Sequence, residues 1–73
     1  MAVKREQLDD IFTYHAPDDD QIIRYAKIRL AARALAEVIL AETPLCGDQQ
    51  ASIRLLREAV FTANAAVALK GTV

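Results

Sequence analysis

His15 and Cys46 are the only imidazole and the only thiol in this chain, so any nucleophilic chemistry of the Cys–His kind must use both. The spacing argues against it. Cys46 lies in a turn between Pro44 and Gly47, and His15 precedes the first long helical pattern, so pairing them requires the N-terminal segment to fold across that turn. One Cys and one His cannot build a zinc site, and a lone Cys makes no internal disulfide. No glycine-rich phosphate loop and no catalytic motif is present. The expectation is a protein with no catalytic residue, no metal and no cofactor, not an enzyme. His15 then reads as structural or solvent-exposed, and Cys46 as a small packed apolar group. The run Asp18-Asp19-Asp20 lacks the ligand spacing of a calcium loop. Asp18 with Gln21 three residues on matches a capping box, which makes helix capping the expected use of the run.

Binding chemistry is better represented. Tyr14 stands just ahead of the first long helix, with Pro17 restricting the backbone after it. An aromatic face there suits a stacked nucleobase. Arg29 falls on a narrow polar strip of the helix, and its guanidinium suits a bidentate phosphate contact. The bland reading is that Tyr14 covers the core and Arg29 pairs with Glu37 or a neighbouring Asp, and composition alone favours it. Thr62 and Asn64 interrupt an apolar helix face and must find hydrogen-bond partners. Asn64 either fixes the register of a helix assembly, the favoured reading, or reads a base edge in a pocket.

The elements that must hold these residues are helical. Gly and Pro number only 2 each in 73 residues, too few for a hairpin-rich β fold. Residues 1–17 form a mixed N-terminal segment, 18–42 a helix, 43–48 a turn and 49–70 a second helix that Gly71 stops. In the first helix Ile22, Tyr25, Ile28, Ala32, Leu35 and Ile39 form one apolar lane. Ile23, Leu30, Ala34 and Ala41 form another about half a turn away. Polar residues keep two strips: Arg29, Arg33 and Glu37, and Arg24 with Lys27. In the second helix the lanes are Ile53, Leu56, Val60, Ala63 and Val67, then Leu55, Ala59, Ala66 and Leu69. A hairpin covers one lane of each helix and leaves the other open. The chain is also too short for a comfortable core of its own. The expected fold is therefore all-α, an antiparallel helical hairpin with a short N-terminal segment, in a single domain that assembles into a compact homo-oligomer.

Composition excludes several classes. A net charge of −1 is wrong for a DNA binder. A hydrophobic share of 53% is too high for disorder. Met1 to Asp10 is charged, which does not read as a signal peptide, and no apolar run is long enough to span a membrane. Lone-cysteine usage fits a reducing compartment.

The block Phe12-Thr13-Tyr14-His15-Ala16-Pro17, the helix Gln21 to Arg29 and the tail Leu56 to Leu69 resemble a phage-encoded helical-hairpin family. It includes the anti-CBASS cyclic-nucleotide sponges and the related hairpin of one anti-Thoeris sponge type. The resemblance implies a hexamer in the cytoplasm of an infected bacterium, sequestering cyclic dinucleotides between protomers and cyclic trinucleotides where three protomers meet, without cleaving them. It implies ligand-binding roles for Tyr14 and for Arg29, which stands where better-known members carry Lys. Lys27 is a nearby second basic group, and Arg57, Thr62 and Asn64 are candidates for a second site. The alternative function is a non-catalytic helical assembly or interaction protein acting on a protein partner.

Overall fold

The computed structural model describes residues 3–72; Met1 and Ala2, at the start of the segment 1–17, and Val73 lie outside the described residues. A 3₁₀ turn, Arg5–Gln7, leads into the short helix α1, Leu8–Phe12. Two long helices follow, α2 (Asp19–Glu42) and α3 (Gly47–Ala68). There is no strand among the described residues.

The ends of the helices follow from local chemistry. Asp18 caps α2: its Oδ1 accepts the Gln21 N–H at 2.8 Å, and Gln21 Oε1 accepts the Asp18 N–H at 3.1 Å. Asp19 and Asp20 sit in the first turn, where the helix dipole favours negative charge, and Asp20 also pairs with Arg24 at 2.8 Å. Thr43 ends α2 in an extended conformation, with its N–H and hydroxyl both donating to the Ile39 carbonyl. Pro44 cannot continue the ladder.

Three expectations need correction here. Helix α3 starts at Gly47, not after Asp48. Extended Cys46 occupies the cap position and its carbonyl accepts the Gln50 N–H at 3.2 Å, so Gly47 falls in the first turn, where amides lack helical partners in any case. Cys46 is consequently exposed instead of packed as an apolar group. At the other end α3 stops at Ala68. Lys70 takes the left-handed conformation at φ 54, and Gly71 follows at φ 75. The Lys70 N–H donates to Val67 at 3.2 Å and the Gly71 N–H to Ala66 at 3.1 Å, the Schellman pattern with Lys at the position glycine usually holds.

The long helices pack antiparallel. Tyr25, Ile28, Ala32 and Ile39 of α2 are half-buried against Ile53, Leu56, Val60, Ala63 and Val67 of α3. The second lanes are largely open: Ile23, Leu30, Ala34, Ala41, Leu55, Ala59 and Ala66 are all exposed, and Leu69 is half-buried. Among the described residues no apolar side chain is buried.

The two buried residues among those described are glutamines, Gln21 at 8% exposure and Gln49 at 6%. Gln21 Nε2 donates across the hairpin to the Val67 carbonyl at 3.1 Å. Gln49 Nε2 donates to the Thr43 carbonyl and hydroxyl, both at 3.1 Å. One glutamine thus ties the open end of the hairpin and the other the turn end.

The chain exposes 6030 Å². A compact monomer of this mass exposes about 4,450 Å². Its radius of gyration is 15.3 Å, against about 11 Å for a compact domain of this length. The excess surface is the unpartnered lanes and the N-terminal segment, whose α1 does not pack on α2.

Candidate functional site

Tyr14 lies in the stretch between Phe12 and the Asp18 cap, which has no regular structure. Tyr14 is 84% exposed and covers no core in the single chain, so the bland reading of Tyr14 fails. The next residue, His15, is also exposed, and its Nε2 lies 2.6 Å from the Asp10 carbonyl. Pro17 then leads into the cap.

Arg29 is exposed on α2 and has no ion-pair partner among the described residues. The acid expected to pair with it, Glu37, accepts from Arg33 Nε at 3.4 Å. Helix geometry explains the choice. Glu37 is one turn from Arg33 but two turns, about 12 Å, from Arg29. Asp20 is likewise taken by Arg24. Among the described residues the Arg29 guanidinium makes no hydrogen bond or ion pair.

Lys27 is exposed as well. Residues two apart on a helix point away from each other, so Lys27 shares a flank with Arg24 and Ala31 and is no neighbour of the Arg29 guanidinium.

A shallow apolar groove of about 370 Å³ runs along one side of the hairpin, lined by Ile28, Ala31 and Leu35 of α2 and by Leu56, Ala59 and Ala63 of α3. It fixes which flanks look the same way. Helical spacing puts Thr62 and Ala66 on the side of Ala59. The other side carries Tyr25, Arg29 and Arg33 from α2 with Arg57, Phe61 and Asn64 from α3.

The structure therefore brings Arg57 and Asn64 onto the Arg29 side and places Thr62 on the opposite side. The Arg57 guanidinium lies 5.3 Å from the Phe61 ring centroid, a cation–π pair that holds the charge at the surface. Asn64 is half-buried and its Oδ1, though buried, has no partner among the described residues. The Thr62 hydroxyl donates to the Glu58 carbonyl of its own helix at 3.0 Å, so its proton is already spent.

One feature was missed from sequence. A cavity of about 480 Å³ opens at the free end of the hairpin, where Asp18, Asp20 and Arg24 of the α2 start face Ala66, Val67 and Lys70 of the α3 end. Only the antiparallel register brings these residues together. The sequence signal was limited to the one-turn spacing of Asp20 and Arg24.

Among the described residues the arrangement offers an exposed aromatic face at Tyr14 and an unpaired guanidinium at Arg29. No curated protein and no solved structure matches the chain. A family model described as the Acb2/Tad1 hairpin domain matches residues 4–68, which run from the residue ahead of the 3₁₀ turn to the last residue of α3. With its short N-terminal helices, both long helices and the turn between them inside the matched span, the chain belongs to the Acb2/Tad1 hairpin family.

Proposed function

We propose that the protein is a phage immune-evasion sponge. It binds cyclic oligonucleotide second messengers in the cytoplasm of the infected bacterium and withholds them, intact, from the CBASS effector. Membership of the Acb2/Tad1 hairpin family carries this reading. The chain's own residues support it, because Tyr14 and Arg29 are exposed and have no work inside the protein.

Magnitudes point to a site shared between copies. A base stacked on Tyr14 contributes about 1–3 kcal/mol and a phosphate on Arg29 about 1.5–3 kcal/mol. One such pair, at about 2.5–6 kcal/mol, falls short of the roughly 8 kcal/mol of a micromolar complex. A cyclic dinucleotide has two bases and two phosphates, so two copies double the yield. Distance supports the same view. Arg29 stands about 15 Å along α2 from Asp19, and Tyr14 precedes that point in the chain. We infer that each ligand takes Tyr14 from one protomer and Arg29 from another. The open lanes of α2 and α3 supply the interfaces of a homo-oligomer, which we take to be a hexamer. Arg57 and Asn64, on the Arg29 side, are candidates for a second, cyclic-trinucleotide site. Sequestration involves no bond making, so the sponge is no enzyme and needs neither metal nor cofactor.

The exposed lanes alone suit a helical assembly or interaction protein acting on a protein partner equally well; the unemployed Tyr14 and Arg29 favour the sponge. Calorimetric titration with cyclic di- and trinucleotides and cyclic ADP-ribose isomers separates the two. Saturable binding of a cyclic nucleotide supports the sponge. No binding across the panel rejects it in favour of a protein partner.

A further inference from the structure

Tyr14 is 84% exposed, and the stretch that carries it has no regular structure. A stacking platform of that kind loses conformational freedom on binding, and that loss subtracts from affinity. Two hydrogen bonds nevertheless restrain the segment. Upstream, Gln7 Nε2 donates to the Thr72 carbonyl at 3.1 Å, which ties the 3₁₀ turn to the chain beyond α3. Downstream, His15 Nε2 lies 2.6 Å from the Asp10 carbonyl. Asp10 belongs to α1, a five-residue helix whose last carbonyls have no donors within the helix. The imidazole supplies one of them. A carbonyl can only accept, so Nε2 must carry the proton. The bond closes the chain from Asp10 to His15 into a loop that contains Tyr14. Among the described residues, His15 is the only side chain from Phe12 to Pro17 that makes a hydrogen bond.

We propose that His15 is a positioning residue for Tyr14: its Nε2–H, donated to the Asp10 carbonyl, straps the loop so that the Tyr14 ring is presented to a base before the ligand arrives. This rests on the reading of Tyr14 as the stacking face of a cyclic-dinucleotide site. It assigns His15 no contact with ligand.

The test uses the full chain as wild type, His15→Ala, His15→Gln, Tyr14→Ala and the double alanine variant. Gln carries an amide N–H at nearly the reach of the imidazole Nε2 and serves as rescue. The first readout needs no ligand: the backbone ¹⁵N heteronuclear NOE at Tyr14. It should fall in His15→Ala and recover in His15→Gln. The second is calorimetry with cyclic GMP-AMP. His15→Ala should weaken binding about three- to tenfold. His15→Gln should restore most of it, and His15→Ala should change nothing further in the Tyr14→Ala background.

An unchanged NOE at Tyr14 in His15→Ala overturns the proposal. So does an unchanged affinity, or an equal loss of affinity with and without Tyr14, which means that His15 acts by a contact of its own. If wild type binds no cyclic nucleotide, the sponge reading fails, and the strap is then judged by the NOE at Tyr14 alone.

Discussion

Removing the Gln21 side chain should loosen the open end of the hairpin by an amount the structure allows us to work out. Gln21 makes two side-chain bonds, accepting from the Asp18 N–H and donating to the Val67 carbonyl, both at 3.1 Å. At about 0.5–1.5 kcal/mol each, Gln21→Ala should lose about 1–3 kcal/mol. Gln21→Glu divides the two contributions. It keeps an oxygen for the capping box, where Glu serves as well as Gln. It also turns the donor that meets Val67 into an acceptor, and places a carboxylate at a site only 8% exposed. At neutral pH Gln21→Glu should therefore be at least as destabilising as Gln21→Ala. It should partly recover in acid, where a protonated carboxyl can donate again. Urea unfolding at one fixed protein concentration is the assay, because the proposed assembly would add a concentration-dependent contribution to stability. For a chain of this length about 1 kcal/mol corresponds to roughly 4–8 °C in Tm. A wild-type midpoint for Gln21→Glu at neutral pH would refute the cross-hairpin bond, and a loss below about 0.5 kcal/mol in Gln21→Ala would refute the clamp altogether.

Tyr14→Ala and Arg29→Ala should each raise the Kd for a cyclic dinucleotide roughly ten- to a hundredfold with helicity and oligomer size intact, checked by calorimetry, circular dichroism and sedimentation. Arg29→Lys should bind like wild type if charge suffices and like Arg29→Ala if the planar fork is needed. Leu30→Glu puts a charge in the open lane of α2, at a residue 65% exposed in the single chain, and should yield a smaller, still helical species by sedimentation; an unchanged mass counts against that lane as an interface. Ala63→Glu, in the seam between the helices, should instead reduce helicity. Lys70→Gly relieves a left-handed conformation at φ 54 and should stabilise the protein by about 0.5–1 kcal/mol in the same urea assay.

The hairpin was legible because its seam repeats at three- and four-residue spacings, and the start of α2 because Asp18 and Gln21 form a box that depends only on local sequence. What escaped depends on register. Gln21 and Gln49 each stand four residues ahead of a seam residue, Tyr25 and Ile53, so the spacing that marks the seam also marks them. A glutamine on that stripe still reads as a solvated end until a carbonyl of the partner helix is placed beside it. Cys46 was misread for a related reason: its hydrophobicity suggests packing, but a residue at the cap of α3 has nothing to pack on. For the candidate site, chemistry was legible and availability was not. Glu37 lies on the same strip as both Arg29 and Arg33, and only one-turn geometry assigns it to Arg33. Lys27 appeared close to Arg29 in the chain, yet the helix turns it to another flank.

Sequestration without cleavage is the central claim, and recovery of bound ligand tests it most directly. The purified protein is saturated with cyclic GMP-AMP, freed of unbound nucleotide by gel filtration and denatured by heat, and the supernatant is resolved by reversed-phase chromatography. The account predicts stoichiometric return of the intact cyclic dinucleotide. A protein fraction that carries no nucleotide, or a supernatant containing linear dinucleotide or monophosphates, would contradict it.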